Sequence, residues 1–518
     1  MDDLVRELQE RKAKLREGGG AQAAAKQRAS GKMTARERLE YFFDPGTFLE
    51  FDLFARHIGT EHGLDKAELP ADGVVTGVGK VNGREVLAYS EDFTVLAGSF
   101  GERHGKKITK TVRLARELRV PVVGMNDSGG ARITEQMGAL SAYGQLFSEQ
   151  VRASGVVPQI ALIMGPVAGG QSYSPALTDF IFMVEKTSFM FIAAPPLVEA
   201  VVFEKATSEE LGAPSLHASV SGVSDLTAAD DRDCLDRAKR LLSYLPSHCV
   251  EAPPCSESKD DPQRRTPELL RIIPTEPRRY YDMHDVIAQV IDHGGDDGEF
   301  FEIKPQFARN LIVGFARFDG QAVGILANNP LYNAGCLEVD SADKGARFIR
   351  FCDAFSIPLV SLVDIPGFLV GKEVERRGLI RHGAKMLFAY AEATVPKITV
   401  VVRKGYSGGY LAMGSRDLGA DFVFALPTAE VLIMGPEGSV NVLYRKELSA
   451  ASDPEDARQK LLKEFHDKYV NPYNAAGLQQ VDDIIDPQDV RPTIIRALEI
   501  TRGKRTRWGR RKHGNMPV

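Results

Sequence analysis

The feature that most narrows the fold of this chain is an internal repeat. Ile160 to Met164 is a short apolar run leading into Gly165-Pro166-Val167-Ala168-Gly169-Gly170-Gln171-Ser172. Ile398 to Val402 is a second such run, and it leads into Gly405-Tyr406-Ser407-Gly408-Gly409-Tyr410. Four to eight consecutive apolar residues read as a buried strand. A glycine pair after the strand lets the backbone turn sharply with its N–H groups uncovered. The flanks echo one another in the same order. Pro121 to Gly130 resembles Pro358 to Gly367, Val157-Pro158-Gln159-Ile160 resembles Val395-Pro396-Lys397-Ile398, and Asp179 to Phe182 resembles Asp421 to Phe424. The chain therefore reads as two copies of one α/β unit, each with its own glycine-pair turn. If a helix starts at each turn, its first N–H groups are unpaired and form the positive end of the helix dipole, which suits a negatively charged oxygen.

A chain of 518 residues has room for two or more domains with separate cores. A net charge of −5 gives no bulk attraction for nucleic acid or anionic lipid. The basic tail, Arg502 to Lys512, has no aromatic interleaving beyond Trp508 and reads as a solvated or interface tail. None of the five cysteines forms a CxxC pair, so no zinc ribbon or thioredoxin motif is expected; the sparse set fits a reducing compartment. Neither a signal peptide nor a bilayer-spanning stretch is visible. These features predict a cytoplasmic protein, or a matrix protein if a transit peptide has been removed, with no metal, nucleic-acid or membrane partner.

Leu4 to Arg16 reads as an exposed helix. Thr34-Ala35-Arg36-Glu37 has capping-box spacing, and Asn82-Gly83 between apolar runs signals a hairpin. Helices are expected near 108–118, 146–154, 230–245, 344–354, 381–393 and 455–469. Pro253, Pro254, Pro262, Pro267, Pro274 and Pro277 punctuate a charged segment that cannot be one helix. The expected organisation is an N-terminal domain over 1–254, a proline-rich linker over 255–277 and a C-terminal domain over 278–518.

Three chemistries compete for the turns. Phosphate binding is disfavoured, because Gly165 to Ser172 is one residue short of a P-loop and has Gln171 where that motif needs Lys. Acyl hydrolysis draws on Gly405-Tyr406-Ser407-Gly408-Gly409, a G-x-S-x-G match with Ser407 as nucleophile. The only histidines after it are His466 and His513, and His466 lies in a charged amphipathic helix. The third reading needs no side-chain nucleophile. Each turn supplies two N–H donors, and two such turns stabilise oxyanions on two carbonyls; losing one donor of this kind typically costs about 3 kcal/mol.

The motifs Gly31 to Arg38, Asp92-Phe93-Thr94-Val95, Asn126 to Arg132, Met164 to Ala176, Ala334 to Leu337, Asp364 to Phe368, Ile380 to Lys385, Pro427 to Glu430 and Lys512 to Val518 together resemble the carboxyltransferase β subunit of biotin-dependent acyl-CoA carboxylases, the propionyl-CoA and acetyl-CoA carboxylase group. The resemblance covers nearly the whole chain. It implies tandem crotonase-like domains built as ββα spirals, in a hexamer that is a dimer of trimers. It also implies active sites between the N-half of one subunit and the C-half of another. Carboxybiotin on a partner's carrier domain gives up CO2, the freed biotin takes the α-proton of the acyl-CoA, and the thioester enolate attacks CO2. By resemblance, the amides of Gly169 and Gly170 form the oxyanion hole for the thioester, and those of Gly408 and Gly409 the hole for the biotin ureido carbonyl. Gly129, Gly130, Ala131 and Arg132 would contact the CoA substrate. His382, beside Arg381, would be structural or contact a substrate's edge.

The family usually has Gly and Ala where this chain has Ser407 and Gly409. Leu411 stands where propionyl-type enzymes commonly have Asp and acetyl-type ones Ile. Its apolar side chain leans towards acetyl tolerance, although a methylene is worth only about 1–3 kcal/mol. The chain has no Met-Lys-Met biotin-attachment signature and no ATP-binding loop. A biotin carboxylase and a biotin carboxyl carrier are therefore expected as partners. A carboxyltransferase of a sodium-pumping decarboxylase or of a transcarboxylase would share the same turns.

Overall fold

The structure, a computed structural model, describes residues 1–60, 63–294, 300–506, 508–509 and 511–518; of the basic tail, Arg507 and Arg510 lie outside the described residues. The chain divides into two units, Met1–Glu251 and Ala252–Val518.

The first unit contains β1 (Leu49–Phe51), β2 (Val74–Val81), β3 (Arg84–Glu91), β4 (Val122–Ser128), β5 (Gln159–Ala168), β6 (Phe180–Val184), β7 (Phe189–Phe191) and β8 (Leu226–Ala228). They form one sheet in the order β1-β2-β3-β4-β5-β6-β8, with β7 beside the last residues of β5. The first three strands are antiparallel and the rest parallel. Asn82 and Gly83 turn the β2–β3 hairpin with φ of 50° and 78°, the positive pair a type I′ turn requires. Helices Glu102–Leu118 and Met137–Ala153 bury Ile108, Val112, Ala115, Ala142 and Leu146 against Val74, Leu87 and Val122. Burying each of the larger side chains stabilises by about 1.5–3 kcal/mol. Thr34 and Glu37 complete the expected capping box of helix Ala35–Phe42. The N-terminal helix Asp2–Arg16 buries no residue, as its charge pattern requires.

The second unit contains β9 (Phe301–Ile303), β10 (Leu311–Phe318), β11 (Gln321–Asn328), β12 (Leu359–Ile365), β13 (Lys397–Tyr406), β14 (Phe422–Ala425), β15 (Glu430–Leu432) and β16 (Asp483–Ile484). Their order, β9-β10-β11-β12-β13-β14-β16 with β15 beside β13, repeats the first sheet strand for strand. The repetition reaches single residues. The β4–β5 register slips between Asn126 and Ser128, and the β12–β13 register between Val363 and Ile365. The isolated bridge Phe100–Ala131 has its counterpart in Leu337–Phe368. The fold is α/β and internally duplicated.

The segment expected as a linker over 255–277 lies within the second unit and is anchored there. Arg264 pairs with Asp260 and donates to the carbonyls of Gln289 and Ile291, the Thr266 N–H donates to the Gln488 carbonyl, and Leu269 is fully buried. The prolines prevent a long helix, but they do not prevent specific anchoring.

Candidate active site

β5 and β13 are each ten residues long and begin alike. The carbonyls of Gln159 and Lys397 accept from the N–H groups of Asp179 and Asp421, and their own N–H groups donate to the carboxylates of the same two aspartates. This match fixes the equivalence at the far ends. Gly169 corresponds to Ser407, Gly170 to Gly408, and Gln171 to Gly409. The two glycine pairs seen in the sequence are thus offset by one residue in space. Gly169 and Ser407 both have positive φ, 65° and 57°.

Gly169 opens a 3-10 turn, Gly169–Ser172, and Ser407 opens helix Ser407–Ala412. The leading N–H groups of such turns have no acceptor within the turn. Space remains at both turns: among the described residues beyond the adjoining backbone, the nearest atom to a Cβ built on Gly169 is 3.9 Å away and to one on Gly408 3.8 Å. Below, packing is tight. Gly170 sits over the Tyr143 ring, which stacks on Phe100 at 3.9 Å. A Cβ on Gly409 would stand 2.9 Å from the Gly367 Cα, so in this close backbone approach an alanine fits only if the two segments move apart. Leu411 stays 37 % exposed on the same helix instead of packing into the core.

A loop from the neighbouring strand supports each turn. Gly129-Gly130-Ala131 follows β4, with the Gly130 carbonyl accepting from the Phe100 N–H. Gly367 follows β12 and accepts from the Leu337 N–H. Arg132 is buried, and its guanidinium is engaged by Asp72 (2.6 Å), Glu135 (2.9 Å) and the Ser99 hydroxyl and carbonyl. It anchors the loop and does not present its charge outward. Proximity to Ser-Gly-Gly-Ala in the sequence could not disclose this, because Asp72 lies 60 residues away. His382 Nδ1 lies 2.8 Å from the Asp343 carboxylate, a hydrogen-bonding contact that holds the ring in place.

One group beneath the first turn escapes sequence reasoning altogether. The Glu91 carboxyl, at the end of β3, accepts the Asp127 N–H at 3.0 Å and the Gln171 side-chain amide at 2.7 Å, and lies 3.2 Å from His104 Nε2. Glu91, His104 and Gln171 are all fully buried. Burial pushes Glu91 up to about 8 and pulls His104 down to about 4. Both shifts favour the uncharged forms of the pair. His104 Nδ1, 2.9 Å from the Asp72 carbonyl, is its donor, and Nε2 accepts from the protonated Glu91.

Among the described residues, no hydrogen bond reaches the Ser407 hydroxyl. His466, the histidine a hydrolase would need, lines a cleft of about 990 Å3 with Pro366, Lys404, Tyr406, Glu430 and Arg458. The base–nucleophile contact of a serine hydrolase is thus not formed. Among the described residues, no group of three or more His, Cys, Asp or Glu is placed to hold a metal, and no helix is long and apolar enough to cross a membrane.

Residues 26–516 match the family model described as a carboxyl transferase domain. The chain is 50% identical, over all of both sequences, to the propionyl-CoA carboxylase carboxyltransferase subunit of Haloferax mediterranei. It is also 50% identical, over 99% of each, to the methylmalonyl-CoA decarboxylase subunit alpha of Propionigenium modestum. The structure superimposes on transcarboxylase 12S, solved with methylmalonyl-coenzyme A and methylmalonic acid bound, with a TM-score of 0.97 at 48% identity, covering 100% of this chain and 98% of that one. The duplicated sheets and their turns are thus the tandem crotonase-like architecture expected from the sequence, and the chain belongs to the carboxyl transferase domain family, in its biotin-dependent β-subunit group.

Proposed function

We propose that the turns at Gly169–Gly170 and Gly408–Gly409 are the two oxyanion sites of a carboxyl transfer between biotin and the α-carbon of a short acyl-CoA. The observation that carries this reading is the repetition itself: two units end the same ten-residue strand in a turn whose leading N–H groups lack an internal acceptor. The N–H groups of Gly169 and Gly170 hold the thioester oxygen as the α-proton leaves and negative charge gathers on it. Those of Gly408 and Gly409 hold the ureido oxygen. Donors fixed before the charge develops need no reorganisation, and removing one typically costs about 2.7–4 kcal/mol of barrier. Bound biotin, carried by a partner's carrier domain, supplies the carboxyl group and the base. The loop Gly129-Gly130-Ala131 lies against the first turn and guides the CoA ester; Arg132 keeps that loop in place.

Relatives at 48–50% identity carry propionyl-CoA and methylmalonyl-CoA in their names, so a three-carbon acyl group is the substrate inferred here. The half-exposed, apolar Leu411 favours tolerance of acetyl-CoA. A hexamer, as in transcarboxylase 12S, is the inferred assembly. Both directions of transfer pass through the same enolate, so the turns serve carboxylation and decarboxylation alike.

The test is turnover of free carboxybiotin by the purified protein with acetyl-, propionyl- and butyryl-CoA, together with the reverse reaction from methylmalonyl-CoA and free biotin. Propionyl-CoA is expected to raise the rate well above that without a thioester. A rate indifferent to every CoA ester, in both directions, overturns the reading.

A further inference from the structure

The two turns are held by different means. At the second, Gly409 packs directly on Gly367. At the first, the matching residue is Gln171, whose side chain runs down to Glu91 at the end of β3. The residue matching Glu91 along the hairpin is Asn328, which accepts the Asp364 N–H as Glu91 accepts that of Asp127. The floor of the site is thus shared, but among the described residues only the first unit has a side chain hydrogen-bonding from its turn to that floor.

That side chain is not there merely to fill space. Gln171 is fully buried, one end of its amide donates at 2.7 Å to Glu91, and the Oε1 at the other end is buried with no partner among the described residues. A buried amide oxygen left unpaired is costly, and an apolar residue of the same size would avoid the cost. The contact fixes Gln171 immediately after Gly170, so it restrains the short turn that carries the Gly170 N–H. Glu91 is itself fixed on two further sides, by the Asp127 N–H and by His104. Neither Glu91 nor Gln171 faces the outer side of the turn.

We propose that Gln171, tethered to Glu91, is a positioning residue that aims the Gly169–Gly170 donors at the thioester oxygen; this rests on the carboxyl-transfer reading above. Misplacing donors by a fraction of an ångström penalises the transition state more than the bound substrate, because the charge they stabilise appears only during reaction.

The test compares Gln171→Leu, Glu91→Gln and Gly170→Pro in carboxybiotin turnover with propionyl-CoA, with thermal melting in parallel. Gln171→Leu removes the tether and leaves Glu91 with its other two partners. It is expected to lower kcat roughly 10- to 100-fold, with KM for propionyl-CoA within about threefold of wild type. Glu91→Gln keeps the tether, since the Gln171 amide can flip and accept from the new side-chain N–H; kcat is expected within about threefold of wild type. Wild-type kcat in Gln171→Leu overturns the proposal, as does an equal loss in Gln171→Leu and Glu91→Gln. Gly170→Pro removes a donor N–H outright. Full activity in that variant would sink the oxyanion reading itself, whereas loss there with an unaffected Gln171→Leu sinks only the positioning role.

Discussion

Gly169 and Ser407 stand at the same backbone position of the two units, the first residue after a ten-residue strand, with φ of 65° and 57°. Glycine adopts that conformation freely; a serine there carries about 1–2 kcal/mol of strain. Ser407→Gly relieves the strain but adds freedom to the unfolded chain, which offsets about 0.5–1 kcal/mol. A net gain of about 0.5 kcal/mol in unfolding free energy is expected, measured by urea titration. Carboxyl transfer should survive both Ser407→Gly and Ser407→Ala, since no group among the described residues hydrogen-bonds to the hydroxyl.

Gly409 leads to the opposite expectation. A methyl group there meets the Gly367 backbone and Ile365 Cδ1, so the helix start must move. Overpacking of this kind costs about 1–3 kcal/mol. Gly409→Ala should lose stability by about this much, while carboxyl transfer falls by less than about tenfold, because alanine keeps the donor N–H. Steady-state kinetics with propionyl-CoA, read beside the melting temperature, checks both halves of the expectation.

The duplication was legible in the sequence because it is written in local signals: apolar runs, glycine pairs and the order of the flanking motifs. The one-residue offset between the glycine pairs is implicit in the match of Gln159 with Lys397 but hidden by the more conspicuous glycines; in the fold, Asp179 and Asp421 fix that match through contacts distant in sequence. Glu91, His104 and Gln171 were invisible for a related reason. Gln171 meets a partner 80 residues away, and no local pattern announces such a contact. The proline-rich segment read as a linker from its composition alone, while Arg264 and Leu269, which anchor it, find their partners only in the folded unit.

His284, in the first turn of helix Met283–Val290, lies between Glu302 and Asp282 at 3.0 and 2.7 Å. The hydrogen bond to Glu302, assisted by Asp282, lifts it to about 9 against the opposing effect of burial. A raised folded-state value means the protonated ring binds more tightly in the folded protein. Its contribution is full below the unfolded value near 6.5 and disappears as pH rises through about 9. Melting temperatures of wild type and His284→Gln should therefore differ clearly at pH 6 and converge by pH 10.

Lys107 and Lys344 carry the opposite sign. Lys107 donates to the carbonyls of Ala71 and Val74, and Lys344 to those of Lys304 and Phe307. Burial lowers them to about 8 and about 7. Between those values and the ordinary one near 10.5, the unfolded chain holds protons that the folded chain has released, so stability climbs with pH across that window. Lys344→Met removes its share of the slope, which is on the order of a few kcal/mol. Urea midpoints at pH 7 and pH 10 should diverge between wild type and variant; parallel midpoints would refute the assignment.

Asp127 and Asp364 occupy matched places at the register slips beneath the two loops, yet they are paired from different directions. Asp127 accepts from Lys32 and Arg38, which precede the sheet, and Asp364 accepts from Arg403 on the adjacent strand and from the Tyr281 hydroxyl. All four partners, three of them charged, are buried, so removing one member of an ion pair strands a charge and costs about 3–5 kcal/mol. Arg403 also donates to the carbonyls of Glu276 and Arg279, so its loss frees that strap as well. Asp364→Asn and Arg403→Gln should each destabilise by this amount. The double variant should cost about 1–3 kcal/mol less than their sum, because each single change already breaks the shared bond. A double-mutant cycle in urea measures the coupling. Because the loop carrying Gly367 springs from Asp364, both single variants should also lose carboxyl transfer in the fraction that remains folded, whereas strict additivity in stability with unchanged kcat would mean that the pair neither supports the loop nor shares its charge.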